Sequence, residues 1–527
     1  MKHLSLAGEW LYDANWGRGM VMLPAKLDGS FAGRSGEPLR ERVVFTRTVS
    51  LPRRYAKRRA FFYLEQAGAC LLRVNGEVAG RCIRRYLPWE IEITSFLHPG
   101  DNEFVLELDS SQSPDGHNGC GKIELLLLPN ICIRYFHTRE GTVSVLPEGL
   151  SCGNVTVEIG NKSFYRSFVQ PGWVDVPFET KRLKRWRPDF PRLYRMNCIL
   201  TTPDWKEIKK ESQVGLRSLS VHNNRFCVDG IPYYLIGREM SLPAPAAFTA
   251  DCEWWAARFQ LEKAHGVNLL LCSGWCPPEN AFLAADQSGI FIAVLPPGPF
   301  QYGGDEFSCR TETQDLLFLY GSHPSFAMAA VDKKDESFLS VAPLQEKEDF
   351  LLQTLTGTLR LAAIPAPEDP AGWKMPVETA LLRQDCGGIL LRANSFPDEF
   401  PAAKGFSGLL YRTKNRPTLR QWRQFCSDLV LLLDRKERDF PCSGIFSARL
   451  LVRNCRKKIE RCTLCWQAGK HTGTVSCSLP LGLHEVCRID FSLPDEECHL
   501  VLSASFQETD CQNSWNLHIC PKHEKQE

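Results

Sequence analysis

Cys462-Thr463-Leu464-Cys465 is the one Cys-x-x-Cys of this chain, a spacing that can offer two thiolates to a single metal ion, and Cys455, Cys477 and Cys487 lie close by in sequence. A zinc ribbon needs a second pair at similar spacing, and none is present. No metal is therefore expected. The 22 cysteines, scattered from Cys70 to Cys520, read as reduced and mostly buried side chains acting as small apolar groups. Two basic runs, Arg53-Arg54-Tyr55-Ala56-Lys57-Arg58-Arg59 and Arg456-Lys457-Lys458, could in principle neutralise phosphate. Neither is interleaved with base-stacking aromatics, and a net charge of +2 supplies no bulk attraction to polyanions. Both runs read as solvated loops, so nucleic acid and membrane surfaces are not expected partners.

Any catalytic group has to be held by a fold. At 527 residues, a prior of about 150 residues per domain suggests three or four domains. Hydrophobic residues make up 43% and charged residues 24%, enough apolar surface for ordinary globular cores. The opening Met1 to Trp10 lacks the apolar run of a signal peptide. No stretch approaches the roughly 18 apolar residues of a membrane span, and a cytoplasmic location is expected.

Short β-type runs fill the first part of the chain, such as Val43 to Val49 and Ala60 to Leu64, separated by Gly, Pro and Asn. Leu71-Leu72-Arg73-Val74, Asn75-Gly76 and Glu77-Val78-Ala79-Gly80 form a hairpin signal, because Asn-Gly supplies the positive φ angles of a two-residue turn. A first sandwich is expected up to about residue 125 and a second, seven-stranded one, to about 215. The pattern then changes to buried strands (Tyr233 to Gly237, Val267 to Cys272, Phe291 to Leu295, Phe326 to Val331) alternating with helices over 251–265 and 278–288. Continuous apolar strands alternating with helices mean a parallel sheet covered on both faces. Without a dinucleotide-type glycine fingerprint, a barrel is favoured over a doubly wound sheet. From about residue 440 the pattern is β again.

Several segments in this order resemble glycoside hydrolase family 2, the β-galactosidase, β-glucuronidase and β-mannosidase type. They are Leu6-Ala7-Gly8-Glu9-Trp10, Val74-Asn75-Gly76, Tyr86 to Thr94, Leu97 to Asn102, and Arg185-Trp186-Arg187-Pro188-Asp189-Phe190-Pro191-Arg192-Leu193-Tyr194. Within the barrel region they are Phe226 to Gly230, Leu235 to Arg238, Gly266-Val267-Asn268, Trp275-Cys276-Pro277-Pro278-Glu279-Asn280-Ala281-Phe282, Ala285 to Ile290, and His323-Pro324-Ser325-Phe326. The resemblance implies a multidomain β plus α/β chain. Residues 1–125 would be a sugar-binding-like jelly roll and 126–218 an immunoglobulin-like sandwich. Residues 219–438 would be a shortened (β/α)8-type barrel and 439–527 a C-terminal β-sandwich.

Retaining glycosidases of this kind use two carboxyl groups about 5–5.5 Å apart, one as nucleophile and one as acid/base. In a (β/α)8 barrel such groups sit at the C-terminal ends of strands. The resemblance places the family's Asn-Glu pair of the fourth strand on Asp332-Lys333. Asp332 is then expected to hold a sugar hydroxyl. The Lys333 ammonium cannot protonate a glycosidic oxygen and later accept the proton of water near neutral pH. Asp335 and Glu336 are the acids near it. Leu271 and Ser273 stand where relatives carry Arg and His. Roughly 105 residues separate Lys333 from the last sandwich, fewer than four further units of about 30 residues require, so the barrel reads as shortened. Strands are expected at Leu359 to Ile364, Gly388 to Leu391 and Leu409 to Tyr411. Glu368 is the nucleophile candidate, beside Glu336 as acid; Trp275 and Trp373 are candidate stacking rings and Glu239 a candidate hydroxyl ligand.

The expected ligand is a carbohydrate, a β-glycoside, and no cofactor is implied; self-association is left open. Two functions follow, a retaining O-glycosyl hydrolase with displaced carboxylates or a non-catalytic carbohydrate-binding pseudoenzyme. A structural or interaction scaffold is the third.

Overall fold

A computed structural model describes residues 2–27, 41–55, 58–65, 69–82, 87–109, 118–139, 141–240, 251–273, 275–295, 314–329, 349–354, 357–365, 370–392, 418–455 and 457–521. The chain forms two compact units, one of residues 1–218, 240–259 and 271–340, the other of 219–239, 260–270 and 341–527. Strands dominate both.

The first unit opens with a sandwich. Its six-stranded sheet runs in the order Gly17–Leu23, Gly8–Ala14, Arg42–Leu51, Gly100–Asp109, Cys70–Val74, Glu77–Cys82. Its four-stranded sheet runs Lys2–Ser5, Ile123–Leu128, Arg59–Leu64, Trp89–Glu92. Alternate side chains of both sheets, among them Trp10, Phe45, Phe62 and Phe104, make one core. The hairpin expected at Asn75-Gly76 is present: Val74 pairs with Glu77, and the two turn residues have φ of 53° and 85°. Asn75 also explains a resemblance motif. Its side-chain amide donates to the Asn102 carboxamide at 2.9 Å, and Asn102, fully buried, bonds the backbone N–H and carbonyl of His98. Val74-Asn75-Gly76 and Leu97 to Asn102 are thus two halves of one hydrogen-bonded corner.

A second sandwich follows, with sheets Cys132–Arg139, Thr142–Glu148, Val174–Pro177 and Lys162–Phe168, Gly153–Ile159, Tyr194–Thr201, Glu207–Val214. Val155, Val157 and Ile159, spaced by two, point into its core. The Arg185 to Tyr194 segment then runs along the helix Glu279–Ser288 of the same unit. Trp186, fully buried, donates its indole N–H to the Asp286 carbonyl at 2.8 Å and meets Phe291 edge-on. That helix ends at Gly289 in the left-handed region, φ 69°, where a Cβ would lie 2.1 Å from the Pro188 carbonyl oxygen. Strand Phe291–Leu295 pairs in parallel with Phe326–Ala329.

In the second unit, Leu235–Met240 pairs in parallel with Gly388–Arg392, which pairs in parallel with Gly357–Pro365; helix Lys374–Leu381 connects the last two. The strands expected at Leu359 to Ile364 and Gly388 to Leu391 are these, whereas Leu409 to Tyr411 lies outside the described residues. Asp349–Thr354 runs antiparallel to Gly357–Pro365, a pairing foreign to a (β/α)8 barrel. The physical reason is the connection: two residues cannot carry a crossover, so consecutive strands joined that tightly must be antiparallel. The unit ends in a sandwich with sheets Leu429–Leu433, Ile445–Asn454, Gly482–Ser492 and Asp439–Pro441, Gln512–Cys520, Cys498–Phe506, Ile459–Ala468, His471–Leu479. Cys462 and Cys465 share strand Ile459–Ala468; Cys462 joins the core and Cys465 lies on the opposite face. Three residues along a strand reverse direction, so this pair cannot chelate one ion. Most of the described cysteines are buried, and all are free thiols. Among the described residues no helix is long and apolar enough to cross a membrane.

Candidate functional site

Parallel pairing sets Leu235 opposite Gly388 and Arg238 opposite Leu391. Glu239 and Arg392 consequently emerge together at the C-terminal ends of neighbouring strands, where barrel-type folds place their ligand groups. Arg392 Nε donates to Glu239 Oε2 at 2.8 Å. Glu239 is 9% exposed, whereas the Arg392 side chain is 48% exposed. The carboxylate is the anchor and the guanidinium is the group turned to solvent, with N–H donors left for an oxygen-rich ligand. One residue earlier, Arg238 is committed to the buried Glu262 at 2.7 Å.

In the first unit, Trp275-Cys276-Pro277-Pro278 leads into the helix Glu279–Ser288. Trp275 is 6% exposed and donates its indole N–H to the Met240 carbonyl at 2.8 Å. Cys276 is buried, which pushes its thiol well above the ordinary range. The first residue of that helix, Glu279, donates its backbone N–H to Glu65 Oε1 at 3.3 Å. Glu65 follows the sandwich strand Arg59–Leu64 and is 5% exposed. Burial pushes its carboxyl up to about 7, against the Glu279 N–H, which favours the ionised form. Burial also raises the neighbouring phenols of Tyr63 and Tyr320.

The His323-Pro324-Ser325 segment is fixed from two sides. His323 Nδ1 lies 2.7 Å from Asp286 Oδ2, and the Ser325 N–H donates to Asp286 Oδ1 at 2.9 Å. Arg217 donates to the carbonyls of Pro324, His323 and Phe326 at 2.7, 3.0 and 2.6 Å. This fastens the chain entering strand Phe326–Ala329, the strand expected to lead to Asp332.

Of the residues singled out by sequence, Asp332, Lys333, Asp335, Glu336 and Glu368 lie outside the described residues. Glu239 is at a strand end, as expected. The stacking role expected of the tryptophans meets a different environment. Trp373, 5% exposed, closes the turn Pro370–Trp373 and packs edge-on against Trp422 in a core with Val377 and Ile389. A ring buried to that extent presents no open face, and the same holds for Trp275. Both are large amphipathic rings, which fill a core as readily as they line a mouth. Sequence reasoning missed Arg392 and Glu65. A charged residue closing the apolar run Gly388-Ile389-Leu390-Leu391 was a usable signal for Arg392. Nothing local marks Glu65, whose partner is 214 residues away.

No protein-family model and no curated protein matches the sequence. Solved structures do match. A β-D-mannosidase from Dictyoglomus thermophilum superposes with a TM-score of 0.70 at 12% identity, over 99% of this chain and 90% of that one. An FMN-binding β-glucuronidase from Faecalibacterium prausnitzii L2-6 gives 0.60 at 15% identity over 99% of both chains. A β-glucuronidase from Ruminococcus gnavus in complex with D-glucuronic acid gives 0.53 at 14% identity, over 64% of this chain and 68% of that one. What the chain shares with them is architecture: it has the multidomain, β-rich fold of the glycoside hydrolase family 2 type.

Proposed function

We propose that this chain binds β-glycosides at the C-terminal ends of its parallel strands, and that hydrolysis with retention is weak or lost. The observation that carries the binding reading is the Glu239–Arg392 pair. It holds an exposed guanidinium at a strand end, where a sugar's hydroxyls or a uronic carboxylate can accept its N–H groups. Structural neighbours named as β-mannosidase and β-glucuronidase support a β-glycoside as the ligand class. The reading of lost chemistry rests on Lys333, a cation where the resembling family keeps its acid/base carboxyl.

The test is a panel of nitrophenyl β-glycosides, mannoside, glucuronide and galactoside included, with the protein and its Glu336→Gln and Glu368→Gln variants. Flat traces together with a sugar-induced rise in Tm support the binder. Turnover that disappears in either variant overturns the loss of chemistry and makes those carboxylates the displaced pair. Neither turnover nor a rise in Tm with any sugar rejects the whole reading.

A further inference from the structure

The C-terminal sandwich gathers soft and hard metal donors on one sheet face. Strand Asp439–Pro441 pairs in parallel with Gln512–Cys520, with Asp439 opposite His518; Cys498–Phe506 pairs on the other side, with His499 opposite His518. Residues opposite one another share a face, and Cys520, two positions beyond His518, shares it too. The side chains converge. His518 Nδ1 is 3.2 Å from Asp439 Oδ1 and 3.1 Å from Cys520 Sγ. One ligand atom from each of the three lies within 4.8 Å of the other two.

We propose that Asp439, His518 and Cys520 form a surface site for a zinc-type transition metal ion. Ligand atoms 2.0–2.3 Å from a tetrahedral zinc stand about 3.3–3.7 Å from one another. The two separations from His518 Nδ1 are within about half an ångström of that, and the third pair of ligand atoms lies within 4.8 Å, on two hydrogen-bonded strands. A single cation can be shared by the carboxylate oxygen, the ring nitrogen and the thiolate. The opposite nitrogen, His518 Nε2, faces Glu497 Oε1 at 3.7 Å, and the His499 ring stacks on the His518 ring at 4.7 Å. A carboxylate behind the second nitrogen and a fixed ring plane are what orient a ligating imidazole. Thiolate, imidazole and carboxylate together select zinc or a similar ion over magnesium or calcium, which take oxygen ligands. Three protein ligands on an exposed face leave a fourth position for water.

Cobalt(II) and zinc(II) titrations of the full chain test this, with Cys520→Ser, His518→Gln and Asp439→Asn as variants. The site lies at the surface, so the variants should fold, and circular dichroism checks that they do. Wild type is expected to bind one equivalent more than either Cys520→Ser or His518→Gln, with a thiolate-to-cobalt charge-transfer band that zinc displaces, and Asp439→Asn to bind at least about tenfold more weakly. Equal uptake and an equal band in wild type and Cys520→Ser would place the metal on other thiols and overturn the assignment. Loss in Cys520→Ser alone, with the other two unchanged, would also overturn it, because a single thiol then accounts for the uptake.

Discussion

Glu65 caps a helix that starts 214 residues further along the chain: its Oε1 accepts the backbone N–H of Glu279, the first residue of Glu279–Ser288. The first N–H groups of a helix have no partner within it, and here a sandwich strand end supplies one. The Trp275-Cys276-Pro277-Pro278 turn is thereby tied to the first sandwich. The carboxyl is buried and its pKa stands at about 7, above the ordinary 4.5.

A raised folded-state value makes the folded protein the better proton binder. The stability contributed by Glu65 is therefore complete below pH 4.5 and is lost as pH climbs through 7. The full swing is on the order of 3 kcal/mol. Glu65→Gln keeps an acceptor for Glu279 but has no proton to lose. It should leave Tm nearly unchanged at pH 5 and flatten its fall between pH 5 and 8. A wild-type slope that survives in the variant would assign the pH dependence to other groups.

Asp286 joins two segments that resemble one family in sequence for reasons sequence alone does not display. Its carboxylate accepts from the Ser325 N–H and pairs with His323, while its backbone carbonyl takes the Trp186 indole. Asp286→Ala leaves two donors without their acceptor in a buried site and should cost about 3 kcal/mol in urea unfolding. Asp286→Asn keeps one acceptor oxygen and should cost about half as much. Equal losses would mean that the carboxylate's second oxygen carries the whole effect.

Much of this architecture was legible because local rules and tertiary structure agree. The Asn75-Gly76 turn, the helices over 251–265 and 278–288, and the β-type run Val43 to Val49 each satisfy one dominant rule. The antiparallel start at Asp349–Thr354 was not legible, since its apolar residues fit any strand and only the two-residue connection dictates its partner. Glu239 could be placed at a strand end from its position in a buried run. Its pairing with Arg392 could not be read, because the two stand 153 residues apart and meet only through which strand lies alongside. The metal-type cluster is hidden for the same reason: Asp439 meets His518 and Cys520 only through sheet order, whereas the adjacent Cys462 and Cys465 are separated by the alternation of their strand.

Arg392 is the exposed half of the strand-end pair, so ligand contact and fold stability can be separated there. Arg392→Met keeps the aliphatic stem and removes the donors. It should abolish any sugar-induced rise in Tm while shifting the Tm of the free protein by only a few degrees. Glu239→Gln should weaken the sugar response without abolishing it, because the guanidinium loses its ionic anchor but not its place. An undiminished response in Arg392→Met would remove this pair from the binding site.

Glu378 is the acid whose loss should damage the second unit most. It sits on helix Lys374–Leu381, and its Oε1 accepts from the Asn513 amide at 2.8 Å and the Trp515 indole at 3.1 Å. Lys374 lies 3.8 Å from one carboxylate oxygen and also bonds Asn513 Oδ1 and the Ser514 carbonyl. Burial raises the Glu378 carboxyl and lowers the Lys374 ammonium, so the two hold each other charged against a common desolvation. Glu378→Ala removes the counter-charge and leaves two buried donors unmet, and should cost about 3–5 kcal/mol in chemical denaturation. Glu378→Gln restores an acceptor for Asn513 and Trp515 but not the charge, and should recover about half of that. If both variants lose the same amount, the ion pair with Lys374 dominates; if Gln recovers nearly everything, the hydrogen bonds to the last strand do.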